Sequence, residues 1–201
     1  MKNFIAINTV TNICRVSLFI NNELIQTIEE NKEHTQTKYL PLFISRILKE
    51  NQCTIKDMDF FTVSIGPGSY SGIKVGVNFI KGLSFSTKIP IVPVNQFASF
   101  NSVIDNPNYY YVALFSHREN IYFQLYKDGA VTSEQFCDHY TELKEGIKVY
   151  GYLLDKINNF NYTNITPSSK NIGYYAQKNY NSLLITNPDN LKSIYLAKKS
   201  E

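Results

Sequence analysis

Ser64-Ile-Gly-Pro-Gly-Ser-Tyr-Ser-Gly-Ile73 is the stretch whose residue types and spacing come nearest to chemistry. Glycine-rich turns that lead into helices cradle phosphates, because free amides and the helix dipole both favour an anion. The stretch approaches three such motifs and completes none. A Walker loop needs four residues between its glycines and then Lys-Ser/Thr. Gly66 and Gly72 have five between them, and Ile73 follows. A dinucleotide fingerprint wants Gly or Ala three places after its second glycine, where Ser71 stands. The hydrolase elbow Gly-x-Ser-x-Gly would need a serine where Gly68–Gly72 carries Tyr70. Two readings remain open. Ser69 is a plain helix N-cap, its hydroxyl accepting a first-turn amide, or Gly66, Gly68 and Ser69 frame a turn that contacts an anion or nucleotide.

Other reactive side chains show little pattern. His34, His117 and His139 lack ligand spacing, and Cys14, Cys53 and Cys137 form no Cys-x-x-Cys. An odd cysteine count without rhythm implies reduced thiols and a reducing, cytoplasmic setting. The apolar run after Met1 is short for a signal peptide, and no run approaches the length that spans a bilayer. The formal net charge is +3 with scattered lysines, and only the tail around Lys198 and Lys199 is locally basic. Tight nucleic-acid binding by this chain alone is therefore not expected. The tyrosines at 109–111 and at 174, 175 and 180 read as core aromatics before base-stacking ones.

The elements that must position the glycine turn are legible in the pattern. Phe4–Ile7, Arg15–Ile20 and Leu24–Ile28 read as strands, with Asn21-Asn22 as a tight turn between the last two. From Thr35 to Glu50, Leu40, Phe43, Ile44, Ile47 and Leu48 recur at helical spacing, so the helix begins near Pro41 or is kinked there. Phe60–Ile65 is a buried strand, residues 69–86 a second helix, and Ile91–Val94 a further strand. Strands at 109–115 and 120–126, an Asp128-Gly129 turn, a strand at 149–154 running into a helix, a helix at 168–180 and an extended Ser193–Leu196 fill the second half. The order implies an α/β protein of two lobes, residues 1–104 and 105–201, built on mixed sheets.

The second helix is expensive as written. Gly72, Gly76 and Gly82 lie inside it, at about 1 kcal/mol each relative to Ala. Gly72 and Gly76 share a face, so some backbone approaches closely there, either within the domain or from a partner's helix. In the first helix Tyr39 and Leu42 widen the apolar arc beyond one core-facing stripe. The excess fits a docking patch.

Ile5-Ala-Ile-Asn-Thr9, His34–Ile44, Ser64–Leu83 and Ile89–Val94 resemble the TsaB family, formerly YeaZ, across about the first hundred residues; Arg118–Tyr122 and Ile194-Tyr-Leu196 extend the likeness thinly. The resemblance implies an actin-like ATPase-type (ASKHA) fold with a full first lobe and a reduced second. It implies a non-catalytic scaffold subunit of the tRNA threonylcarbamoyladenosine complex, joined to a TsaD-type catalytic paralogue and a TsaE-type ATPase. Contact with tRNA would be indirect, and no membrane would be involved. The docking surface would be the two first-lobe helices, here Tyr39, Leu42, Phe43, Ile47, Gly72, Gly76 and Phe79, with a homodimer through the same helices as an alternative free state. On that view Gly76→Leu breaks the complex and spares the fold. No cofactor would be held by the chain alone, with ATP placed at the complex interface. The paralogue's His-x-x-x-His metal pair corresponds to Gln96 and Phe100, which are poor ligands. Asn8 replaces an Asp that helps hold Mg²⁺ in nucleotide-using relatives, which weakens the rival reading as a small actin-like phosphotransferase or ATPase.

Overall fold

Every residue of Phe4–Asn8 (β1) is buried, and so is every residue of Phe60–Ser64 (β4). Strands this apolar must be covered on both faces, and the computed structural model, which describes residues 1–30 and 36–196, shows how. Cys14–Ile20 (β2) pairs antiparallel with β1, and Glu23–Glu30 (β3) pairs antiparallel with β2; β4 and Ile91–Val94 (β5) run parallel. The sheet order is β3-β2-β1-β4-β5. The turn between β2 and β3 uses Asn21 and Asn22 at φ 53° and 70°, the positive region that Asn tolerates.

One face of this sheet presents Ile5, Ile7, Leu18, Phe61 and Val63 to helices Gln36–Glu50 (α1) and Tyr70–Thr87 (α2). The other stacks the Phe4 ring between Phe19 and Phe60, with centroids 4.4 and 4.3 Å away. Gln96–Asn101 (α3) then leads to the second sheet. Its strands are Tyr109–His117 (β6), Asn120–Lys127 (β7), Ala130–Val131 (β8), Phe136–His139 (β9), Lys148–Tyr152 (β10) and Thr163–Asn164 (β11). They lie in the order β11-β10-β6-β7-β8, with β9 also on β7. Ser169–Lys178 (α4) follows and returns to the first sheet, where Ile172 and Ala176 cover the phenylalanine stack.

Several expectations are adjusted. The first helix starts at Gln36 and runs through Pro41 instead of beginning there. The expected helix after β10 is a single tight turn at Leu154–Lys156. Among the described residues Ser193–Leu196 pairs with no strand, although Ile194 N donates to Ile65 O at 2.8 Å. The expectations on His34, Lys198 and Lys199 lie outside the described residues. No helix among the described residues is long and apolar enough to cross a membrane.

Candidate functional site: the glycine turn and the two-helix face

The turn between β4 and α2 is clamped from two sides. Ser69 N donates to Val10 O at 2.8 Å from the β1–β2 connection, and on the opposite flank the Ile194 carbonyl lies where a Cβ on Gly66 would approach to 2.7 Å. Gly66 also sits at φ 108°, so glycine is required there on both counts. Ser69 caps the helix, its Oγ accepting from Gly72 N at 3.4 Å. Gly68 and Ser69 border a hollow of about 250 Å³ that also meets Thr11, His117 and Lys156. The turn is thus an N-capped junction with an open hollow beside it.

Gly72 and Gly76 require a correction. Both are buried, and the backbone they approach is their own domain's. A Cβ on Gly72 would overlap the Thr9 carbonyl, and one on Gly76 would overlap the Thr9 hydroxyl and press Val63 at 3.4 Å. Thr9 Oγ1 donates to the Gly72 carbonyl at 2.7 Å. These glycines therefore seat α2 on the end of β1 and are not on a docking face. Gly82 is different, with nothing within 4 Å of an added Cβ. Phe43 and Ile47 also leave the expected surface: they are 6% and 0% exposed and belong to the core between the first sheet and its helices.

What remains at the surface is narrower. Leu42 is 52% exposed on α1, and Tyr39 and Phe79 are half-buried. Tyr39 leans on Phe43 with ring centroids 5.5 Å apart. Thr37, Leu40, Val75, Asn78 and Phe79 line a shallow trough of about 310 Å³ between the two helices, with Lys74 at its edge. A hydrogen bond to the Tyr70 hydroxyl holds the Lys74 amine above its ordinary pKa, so it stays charged.

Gln96 and Phe100, which the resemblance sets against a metal pair, make other contacts in the structure. Gln96 is wholly buried, and its Oε1 accepts from both Asn8 Nδ2 and Ser64 Oγ at 2.9 Å. Its backbone N donates to Gly66 O at 2.8 Å. Phe100, one turn on, packs against the second sheet with Tyr110 and Tyr126. The two side chains thus serve different cores. Among the described residues no group of three His, Cys, Asp or Glu side chains could hold a metal. Cys14 and Cys53 carry free thiols, and burial pushes the Cys14 thiol up to about 12. Residue types alone did not single out Thr9 or Ser64, whose contacts are made only once β1 and β4 lie side by side.

The family model described as TsaD, tRNA N6-adenosine threonylcarbamoyltransferase, matches residues 26–182. The TsaB biosynthesis protein of Buchnera aphidicola from Schizaphis graminum is 36% identical over 93 residues, covering 45% of this chain and 43% of that one. A solved structure from Pseudomonas aeruginosa, described as similar to peptidase YeaZ, superposes with a TM-score of 0.82 at 14% identity over 98% of this chain and 100% of its own. The chain belongs to the TsaB (YeaZ) family. YeaZ from the same bacterium follows with a TM-score of 0.78 at 15% identity, covering 98% of this chain and 100% of that one. The fold is accordingly of the actin-like ATPase type, with mixed sheets in both halves. Within TsaB relatives, the matched stretch spans less than half of each curated protein, 43%, 39% and 44% of three of them.

Proposed function

We propose that this TsaB-family chain is a non-catalytic subunit in the synthesis of threonylcarbamoyladenosine on tRNA, docking through α1 and α2 onto a TsaD-type catalytic paralogue. The observation that carries the reading is the apolar α1–α2 trough, where the half-buried Phe79 meets Leu40 and Val75. Such a trough, with the 52% exposed Leu42 and the half-buried Tyr39 elsewhere on α1, is the kind of apolar surface that partners cover. Relatives named as the transferase itself also match this chain, one at 31% identity over 87 residues, which supports kinship with such a partner. Paralogous folds can pair through equivalent helices about a two-fold-like axis, and a second copy of this chain would compete for the same face.

The Asn8–Gln96–Ser64 network supports the non-catalytic half of the reading. It commits Asn8 Nδ2, Ser64 Oγ and Gln96 Oε1 to one another, leaving only Gln96 Nε2 without a partner among the described residues. A TsaE-type ATPase completes the proposed assembly, with ATP at the shared interface. Reconstitution tests the whole. Threonylcarbamoyl transfer to tRNA by the TsaD-type and TsaE-type proteins should require this chain, and the chain alone should show no ATP turnover. Transfer at full rate in its absence, or turnover by the lone chain, overturns the reading.

A further inference from the structure

Tyr70 and Tyr195 are 58% and 46% exposed, yet their rings touch, with centroids 4.8 Å apart and planes at 50°. They come from distant parts of the sequence: Tyr70 opens α2, and Tyr195 follows Ile194, whose amide is bonded to Ile65. Tyr109 and Tyr174 each expose one ring beside a lysine, whereas here two exposed rings meet at the rim of a hollow. That hollow, about 90 Å³, is walled by Gly68, Tyr122 and Leu196 as well as the two rings. Through Gly68, Tyr70 and Tyr122 it continues into the larger hollow that reaches His117 and Lys156.

The charge around this rim is one-sided. Lys74 Nζ lies 4.1 Å from the Tyr70 ring centroid, and among the described residues no Asp or Glu lines either hollow. Two exposed rings in contact, with an amine over one of them and Lys156 lining the adjoining hollow, suit a base together with its phosphate. Bases locked in a duplex cannot reach such a platform, while those of a loop or single strand can splay onto it. The smaller hollow, at about 90 Å³, is too small for a whole nucleotide, so a strand bound here would continue past the rim.

We propose that Tyr70 and Tyr195 form a stacking site for an unpaired nucleotide of an RNA strand, with Lys74 and Lys156 toward its phosphates. The proposal rests on the tRNA-modification reading above and adds a direct contact to the indirect one that reading implies. The low net charge of +3 fits a contact that steers an RNA held mainly by partners.

The test uses the full chain with three probes: an end-labelled RNA hairpin with an unpaired loop, a blunt RNA duplex of matched length, and adenosine monophosphate. Anisotropy should show the hairpin bound more tightly than the duplex. The double variant Tyr70→Ala/Tyr195→Ala should weaken hairpin binding about tenfold or more, and Tyr70→Phe/Tyr195→Phe should stay within about twofold of the native chain. Both rings are exposed, so thermal melting should be unchanged. Equal binding of hairpin and duplex, or unchanged hairpin binding by the alanine variant, overturns the site. So does a variant that loses only adenosine monophosphate, which assigns the rim to free nucleotide, or only the TsaD-type partner, which assigns it to protein. The reconstitution above is read separately: a chain dispensable for transfer defeats the functional reading, whatever the hairpin shows.

Discussion

Thr9 Oγ1 donates to the Gly72 carbonyl at 2.7 Å, and the same threonine occupies the space where a side chain at Gly76 would stand. Strand β1 and helix α2 are thereby held at a separation only glycine permits. Gly72→Ala and Gly76→Ala should each destabilise the chain by about 2–4 kcal/mol, since the obstruction is backbone or a buried hydroxyl that cannot swing away. Gly76→Leu should fail to fold stably, in place of the folded but unpaired chain that the sequence suggested. Gly82→Ala, at an exposed position with open space around it, should stabilise by about 0.5–1 kcal/mol. Urea titration of the three alanine variants checks this, and equal effects at all three sites would contradict it.

Gln96 offers a second test. Replacing it with Leu keeps approximate volume but leaves Asn8 Nδ2 and Ser64 Oγ without their shared acceptor inside a fully buried site. A loss of about 2–4 kcal/mol is expected, because two donors are stranded together. Because Gln96 opens α3, which carries Phe97 and Phe100 into the second-lobe core, the loss should also loosen the junction between the sheets. Hydrogen exchange of the α3 amides should rise in Gln96→Leu more than exchange in β7. Uniform acceleration across the chain would deny this residue its junction role.

The parts legible in sequence are those set by local chemistry. The unbroken apolar run of β4, the Asn21-Asn22 turn and the Asp128-Gly129 turn, at φ 49° and 74°, follow from residue type and near neighbours. The Ser69 cap does too. What stayed hidden depends on segments far apart in the chain. A glycine's spacing says that something comes close, not what: for Gly72 and Gly76 it leaves the chain's own domain and a partner's helix both open, and the neighbour is Thr9. Helical periodicity likewise could not say that Phe43 and Ile47 face inward while Leu42, on the same helix, stays out. Six-residue α3 is too short to show a period, and its signal was the Asn95 cap, whose Oδ1 accepts from Phe97 N and Ala98 N. The return of α4 to the first sheet has no local signature at all.

Cys14 gives a pH prediction. Burial raises its thiol from the ordinary 9.0 to about 12. Between those values the unfolded chain has lost the proton and the folded chain has kept it, so unfolding is increasingly favoured as pH rises. The contribution is complete below about pH 9 and fades toward pH 12, with an upper bound of about 4 kcal/mol from a shift of this size. The tyrosines titrate in the same window, so the comparison must be with Cys14→Ala, which lacks this component alone. Stability of the native chain should fall more steeply than that of the variant over this range. Parallel slopes would place the thiol in contact with solvent.

Partner binding is tested at Leu42. The side chain is 52% exposed on α1, so Leu42→Glu should change folding stability by less than about 0.5 kcal/mol. If the α1–α2 face is covered by a TsaD-type paralogue, a carboxylate there would be desolvated without a partner. Affinity should drop by at least about tenfold, and co-purification should be lost. Phe79→Ala, on the facing helix beside the trough, should weaken the same complex, while Val131→Glu, on exposed β8 of the second sheet, should not. Using an exposed residue avoids the ambiguity of Gly76, whose replacement damages the fold and the face together. Retained binding in both Leu42→Glu and Phe79→Ala would move the docking surface off these helices. Loss in Val131→Glu alone would move it to the second sheet.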